Sequence, residues 1–260
     1  MTAARPRPSS AARLRRALLG ALALLVAACA SVPPARTADP AADAARALLE
    51  SRWRSFVDLR TLADVTIRRS GRTQRLNGPL LLRTPAWLRF EALSAFGPPV
   101  LVVGGSPESV TVWEVLRNRA YLFPSSPDAN RRWLGLALGT EDLVGILSAH
   151  LRPLPDAREL VLHPADQHGP SLELRGASVT QRIWFDPVTG APRRLDWQAS
   201  RPFQAEFTLS EGVPTAITLL APAQELEVRA RYQRPQLNAG LDADALRVAV
   251  PQSVEIQDFR

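Results

Sequence analysis

Apolar and polar side chains alternate along much of this chain, which is the period expected of a β-strand with one buried face. In residues 203–209 the odd positions are Phe, Ala, Phe and Leu, whereas the even positions are Gln, Glu and Thr. Residues 226–232 repeat the pattern, with Leu, Val, Ala and Tyr alternating with Glu and Arg. The sequence therefore predicts long strands that each present one apolar face to a shared core.

Similar runs occur in two series, and short Gly, Pro, Ser or Asn segments separate the members of each series. The first series predicts strands at residues 63–69, 73–83, 86–94, 99–104, 109–117 and 119–123. The second series predicts strands at residues 158–163, 171–177, 179–186, 192–199, 203–210, 214–220 and 224–232. Because the connections are short, we expect each series to form an antiparallel meander.

Helical spacing of apolar residues is found in two places. Asp39 is positioned to cap a helix, Pro40 suits its first turn, and apolar residues recur at helical spacing as far as Phe56. Residues 128–150, between the two series of strands, predict two short helices that are interrupted at Gly139.

About a dozen strands and about three helices predict an α+β fold that is mainly β. We expect a curled antiparallel sheet or half-open β-barrel of about 11–13 strands, with a helical plug or lid and an apolar cavity between them. The strand residues expected to line this cavity are Leu88, Phe90, Ile183, Phe185, Leu195, Trp197, Phe203, Phe207, Leu226 and Val228. The lid residues expected to face it are Trp133, Leu136, Leu143 and Leu147.

The first 29 residues have the composition of an export signal. They contain five arginines, no acidic residue and an apolar stretch at residues 17–28 that is too short for an ordinary transmembrane helix. This stretch ends at Cys29, the only cysteine, and the tetrapeptide Val-Ala-Ala-Cys resembles the bacterial lipobox. An ordinary secretory signal with an incidental cysteine is the alternative.

The lipobox resemblance implies that residues 1–28 are removed and that Cys29 becomes the lipid-attachment site. We expect residues 29–38, which are rich in Pro and small residues, to form a flexible tether, and residues 39–260 to form a single domain. Loss of the five signal arginines lowers the formal charge from +7 to about +2. The chain contains no lysine, so its cationic side chains are all arginine, which indicates genomic composition bias rather than a nucleic-acid footprint. We therefore expect no nucleic-acid binding.

Candidates for catalysis are few. The three histidines are His150, His163 and His168, and Ser106 follows two glycines without forming a nucleophile elbow. Residues 163–168 contain two histidines and an aspartate that could bind a metal, but a proline within this segment favours a solvated turn. We therefore expect no enzymatic activity, no metal site and no cofactor.

Residues 89–97 (RFEALSAFG), followed by the apolar run 100–103, resemble a strand and loop of the LolB family of outer-membrane lipoproteins. The order of elements is also similar to that of the wider superfamily, which includes the periplasmic carrier LolA and mycobacterial lipid-binding lipoproteins. One departure is residues 146–153 (ILSAHLRP), where the family often has a tryptophan and a Gly-x-Pro. Gly104-Gly105 and the closing run 246–251 (LRVAVP) fit other LolA-like lipoproteins equally well.

This resemblance implies an outer-membrane receptor that accepts the acyl chains of lipoproteins from a LolA-like periplasmic carrier and releases them into the membrane. Phe96, Gly97 and Pro98 would form the loop that inserts into the membrane, and the protein would act as a monomer. Ala30 follows the cysteine where many enteric lipoproteins of the inner membrane have aspartate, which favours the outer membrane. A carrier of another lipid or glycolipid, and a sensing or assembly lipoprotein that binds a protein partner, remain alternatives.

Overall fold

Fourteen strands form one sheet in the computed structural model, which describes residues 39–133 and 135–260. The predicted signal peptide, Cys29, the tether and the side chain of Trp133 lie outside the described residues. The strands are β1 Asp58–Arg69, β2 Arg72–Arg83, β3 Trp87–Leu93, β4 Pro99–Gly105, β5 Ser109–Glu114, β6 Arg119–Pro124, β7 Glu159–Asp166, β8 Gly169–Arg175, β9 Thr180–Phe185, β10 Pro192–Gln198, β11 Phe203–Ser210, β12 Val213–Ala221, β13 Leu226–Leu237 and β14 Glu255–Asp258.

The sheet consists of two antiparallel meanders, β1–β6 and β7–β13, that meet where β1 pairs with β13. Its edges are β7 and β14, which do not pair with each other, so the sheet is curled but unclosed. The predicted fold class, a mainly β fold with a curled antiparallel sheet and a few helices, is confirmed.

The strand count exceeds the predicted 11–13 because β14 was not anticipated. This strand of four residues pairs in parallel with β6, and no turn in the sequence signals such a long-range pairing.

The first strand also begins earlier than predicted, at Asp58, which is buried. The Asp58 carboxylate accepts hydrogen bonds of 2.7, 3.0 and 3.0 Å from the backbone N–H groups of Ala239, Gly240 and Leu241.

In residues 39–133 and 135–260 four α-helices accompany the sheet: α1 Pro40–Ser55, α2 Pro127–Trp133, α3 Thr140–Ser148 and α4 Ala243–Leu246. The Asp39 side chain caps α1, as predicted, by accepting a 3.0 Å hydrogen bond from the Ala41 N–H. The first lid helix is shorter than expected. Gly135 has φ +84°, which directs the chain out of the helix, so Leu136 lies in an irregular segment between α2 and α3.

Two adjacent glycines in β4 let other elements approach both faces of the sheet. A Cβ on Gly104 would collide with Cγ2 of Val248, and a Cβ on Gly105 would lie 2.9 Å from Cγ2 of Thr140. Successive residues of a strand point to opposite faces. The segment after β13, which contains α4, therefore crosses the outer face of the first meander, while α3 packs against its inner face.

Candidate functional site

The inner face of the second meander is filled by its own side chains. Ile183, Leu195 and Phe203 have 2% exposure or less, and the rings of Trp197 and Phe203 stack at 5.9 Å. Leu49 of α1 and Val144 of α3 belong to the same hydrophobic core, as do the remaining predicted cavity residues. Of those, Leu88, Phe185, Phe207 and Leu226 are buried, whereas Phe90 and Val228 are half-buried.

A cleft of about 840 Å³ opens where the β1–β2 hairpin and the start of β13 face the segment after α2. Two of the predicted strand residues, Leu226 and Val228, line it, together with Leu136 of the predicted lid. The complete lining consists of Ile67, Arg69, Ser70, Arg72, Thr73, Gln74, Leu136, Leu226 and Val228.

Strand register explains which side chains share this cleft. Ile67 of β1 lies opposite Val228 of β13 and Gln74 of β2, so these three residues lie on one face. Ile67 was not among the predicted lining residues, although the apolar alternation within residues 63–69 marks it as facing inward. Ile67 could therefore be assigned to the cleft face from the sequence pattern alone.

The mouth of the cleft is cationic. Arg69 lies directly opposite Arg72 in the β1–β2 pairing, and both side chains are exposed. Within the described ranges, neither arginine forms an ion pair, whereas the neighbouring Arg68 pairs with Glu227 at 3.3 Å. A Cβ on Gly135 would lie 3.3 Å from Nη2 of Arg69, so Arg69 stands against the segment that leads to the lid. The cleft therefore has an apolar floor and a positively charged rim.

Hydrogen bonds fix both ends of the stretch that runs from α2 to the end of α3, which we call the lid segment. Nδ2 of Asn130 donates to the Leu138 carbonyl at 2.7 Å, and the hydroxyls of Ser125 and Thr140 are 2.7 Å apart. At the other end, the Tyr232 hydroxyl donates to the Leu147 carbonyl at 2.8 Å. Burial raises the pKa of Tyr232, so the hydroxyl remains a donor at neutral pH.

The two other predicted lid residues, Leu143 and Leu147, are half-buried and pack against the core. They do not line the cleft, which the lid segment contacts through Leu136. The side chain of Trp133, the fourth predicted lid residue, lies outside the described part of the protein.

The loop between β3 and β4 holds Phe96 in solvent. Its ends are joined by a 2.8 Å hydrogen bond from the Ser94 N–H to the Pro98 carbonyl, and Gly97, with φ +101°, turns the chain. The Phe96 side chain is 95% exposed. The structure thus places an apolar side chain at the tip of a closed turn.

The β3–β4 loop and the cleft mouth are at the same end of the sheet. The connections of an antiparallel meander alternate between its two ends. The β1–β2 turn, the β3–β4 loop and the β5–β6 turn therefore all lie at the same end. The β12–β13 turn joins them because Arg69 pairs with Leu226. We call this edge of the sheet the mouth end.

The histidines have structural partners. His150 is buried, stacks on Phe56 at 4.9 Å and forms a 2.7 Å hydrogen bond from Nδ1 to the Ser148 carbonyl. Burial, together with the positive charge of Arg52, lowers the pKa of His150 to about 4. Nε2 of His163 lies 3.0 Å from a Glu173 carboxylate oxygen.

Two features are absent from the described residues. No three His, Cys, Asp or Glu side chains in residues 39–133 and 135–260 come together as metal ligands would. Over the same ranges, no helix combines the length and the apolar composition needed to cross a bilayer.

The sequence matches no family model and no curated protein. The fold is similar to those of many solved structures, among them the following three. A DUF1329 family protein from Desulfovibrio piger aligns with TM-score 0.57 and 15% identity over 81% of this chain and 100% of its own. A putative outer membrane lipoprotein-sorting protein domain from Vibrio parahaemolyticus aligns with TM-score 0.56 and 9% identity over 79% and 97%.

A LolA superfamily protein from Nitrosomonas europaea aligns with TM-score 0.53 and 11% identity over 78% of this chain and 97% of its own. Identities this low establish shared architecture and nothing about chemistry. The described part of this protein therefore has the fold seen in LolA-superfamily and lipoprotein-sorting structures.

Proposed function

We propose that this protein is a lipid-anchored receptor at the outer membrane that accepts acyl chains from a LolA-like periplasmic carrier and passes them to the bilayer. The observation that carries the proposal is the combination, at one end of the sheet, of a cleft with an apolar floor and a projecting Phe96. The fold shared with a lipoprotein-sorting domain supports the same interpretation.

The cleft has the size and chemistry of a lipid site. Its volume of about 840 Å³ lies within the range of small-molecule pockets, roughly 300–1,000 Å³, and its floor is formed by Ile67, Leu136, Leu226 and Val228. Transfer of an acyl chain from water into the cleft is favourable by about 0.8 kcal/mol for each CH₂ group that becomes buried. Because the cleft is open at its mouth, a bound chain can leave by the route through which it entered.

Cys29 would hold the protein at the membrane, and residues 29–38 would give the folded unit its reach. Directional transfer would then need only a graded affinity, from the carrier to the cleft and from the cleft to the bilayer. No cofactor or energy source enters this scheme.

Phe96 would make the last step possible by bringing the mouth end to the bilayer. Burying one phenylalanine in the membrane contributes about 1.5–3 kcal/mol, or roughly ten- to a hundredfold in membrane engagement. The loop is closed by its own hydrogen bonds, so little conformational entropy is lost when it inserts.

The test is a two-step transfer assay with the Phe96→Glu variant. Acceptance of an acylated peptide from the carrier should be unchanged, and delivery from this protein to liposomes should fall at least about tenfold. Val188→Glu is the matched control, because Val188 is 83% exposed but lies in the β9–β10 turn at the opposite end of the sheet. Normal delivery by the Phe96→Glu variant would contradict the proposed function.

The natural cargo is a separate question, which mass spectrometry of material that co-purifies with the protein answers. Acylated peptides would support the receptor proposal. Phospholipid or glycolipid without acylated peptide would instead favour a carrier of other lipids that uses the same cleft.

A further inference from the structure

The arginine pair at the cleft mouth is an unfavourable arrangement in the protein alone. Arg69 and Arg72 are directly opposite each other at the last pair of the β1–β2 ladder, and like charges in this position repel. The neighbouring Arg68 has its charge balanced by Glu227, with which it forms an ion pair of 3.3 Å. In the described part of the chain Arg69 and Arg72 have no such carboxylate, so an external anion would relieve their repulsion.

A second exposed apolar residue lies at the same end of the sheet. Leu116, in the short 3₁₀ turn between β5 and β6, is 82% exposed. Register places this turn beside the Phe96 loop, because Leu101 of β4 pairs with Glu114 of β5 and with Ala92 of β3. Two adjacent connections at the mouth end thus present large apolar tips to solvent.

We infer that the mouth end docks on a lipid surface with anionic headgroups, with Phe96 and Leu116 entering the apolar layer and Arg69 and Arg72 binding headgroup phosphates. Guanidinium groups form paired hydrogen bonds with phosphate oxygens, and two apolar tips beside them match the layered chemistry of a bilayer surface. This inference rests on the proposed function and adds to it the lipid class, a second insertion site and the residues that select the charge.

The orientation has a consequence for transfer. Arg69 and Arg72 line the same cleft as Leu226 and Val228. Docking through the arginines would therefore bring the cleft opening against the headgroup layer, so that an acyl chain leaving the cleft would not need to cross water.

The experiment measures binding to vesicles of phosphatidylcholine alone and of phosphatidylcholine mixed with phosphatidylglycerol, at low salt. It uses residues 39–260, the compact unit that contains the whole described core. The wild-type unit should prefer the anionic vesicles. Replacing both Arg69 and Arg72 by Ala should reduce binding to them about tenfold or more while leaving binding to neutral vesicles unchanged.

Leu116→Glu should weaken binding to both vesicle types at least about tenfold. The controls are Arg60→Ala, an exposed strand arginine far from the mouth end, and Val188→Glu, and neither should change binding. Equal binding of the wild-type unit to both vesicle types, or an equal loss in Arg60→Ala and the double arginine variant, would overturn the inference.

Binding of a fluorescent acyl probe, measured on the same variants, separates the two proposals. If the wild-type unit binds the probe but does not distinguish the vesicles, the inference fails and the acyl-receptor proposal stands. If it distinguishes the vesicles but binds no probe, the receptor proposal fails.

Discussion

Two regions of the inner face bury similar residues and differ in what covers them. Under β9–β11, Ile183, Leu195 and Phe203 are fully enclosed and share a core with α1 and α3. At the β1–β2 hairpin, Ile67 and Val228 face an open cleft whose opposite wall is the short segment at Leu136. The difference shows that an apolar strand face stays open here where the covering chain is too short to fill it.

The largest expected contrast is in stability. Leu195→Ala should lower the free energy of unfolding by about 2–5 kcal/mol, because it leaves a closed cavity in packed surroundings. Leu226→Ala should cost less, since the side chain borders space that solvent already reaches. Urea unfolding of both variants measures the two values. Equal losses would mean that the two regions are packed alike.

The closed region should also carry a pH dependence. The pKa of His150 is lowered from 6.5 to about 4 in the folded protein, so the unfolded chain takes up the proton first. Stability is therefore complete above about pH 6.5 and falls by up to about 3 kcal/mol as the pH drops towards 4. His150→Phe keeps a ring against Phe56 and should flatten the unfolding profile in this window. A profile unchanged by the substitution would assign the acid sensitivity to other groups.

Substitution of a residue in the cleft should instead change the affinity of the protein for an acyl ligand. Val228→Glu places a carboxylate on the apolar floor and should reduce affinity for an acyl probe at least about tenfold. Thr218→Glu is the matched control, because Thr218 pairs with Arg229 on the opposite face of the same part of the sheet. Fluorescence titration of both variants checks the expectation, and equal affinities would place the acyl chain elsewhere.

The smallest effect is expected at the junction between the two regions. Tyr232→Phe removes the hydrogen bond to the Leu147 carbonyl and should cost about 0.5–1.5 kcal/mol. Because that bond ties the end of α3 to β13, amide hydrogen exchange in α3 should accelerate more than exchange in β9–β11. Uniform acceleration would show that the bond acts on global stability alone.

Much of the sheet could be predicted from the sequence because its connections are short and its faces alternate. The alternation at Phe203, Ala205 and Phe207 matches their burial in the structure. The strand β14 could not be predicted, since four residues that pair in parallel with a distant strand carry no local pattern. The early start of β1 could not be predicted either, because the buried Asp58 carboxylate accepts its hydrogen bonds from backbone N–H groups far along the chain.

The cleft was less accessible to prediction than the fold. Periodicity assigns Leu195 and Val228 to the same kind of face, and nothing local shows that one is enclosed and the other borders open space. That distinction depends on Gly135, whose positive φ ends α2 and leaves only a short segment over the hairpin. The exposed Phe96 was easier to anticipate, because a glycine and two prolines in its loop restrict how the side chain can pack.

Photo-crosslinking with a diazirine-bearing acyl chain tests most directly whether the cleft, and not the packed core, receives the ligand. After irradiation and proteolysis, mass spectrometry should locate the adducts in peptides that contain Ile67, Leu136, Leu226 or Val228. Excess unlabelled fatty acid should remove these adducts. Adducts concentrated on β9–β11 around Ile183 and Leu195, or spread evenly over the surface, would contradict an acyl-binding cleft at the β1–β2 hairpin.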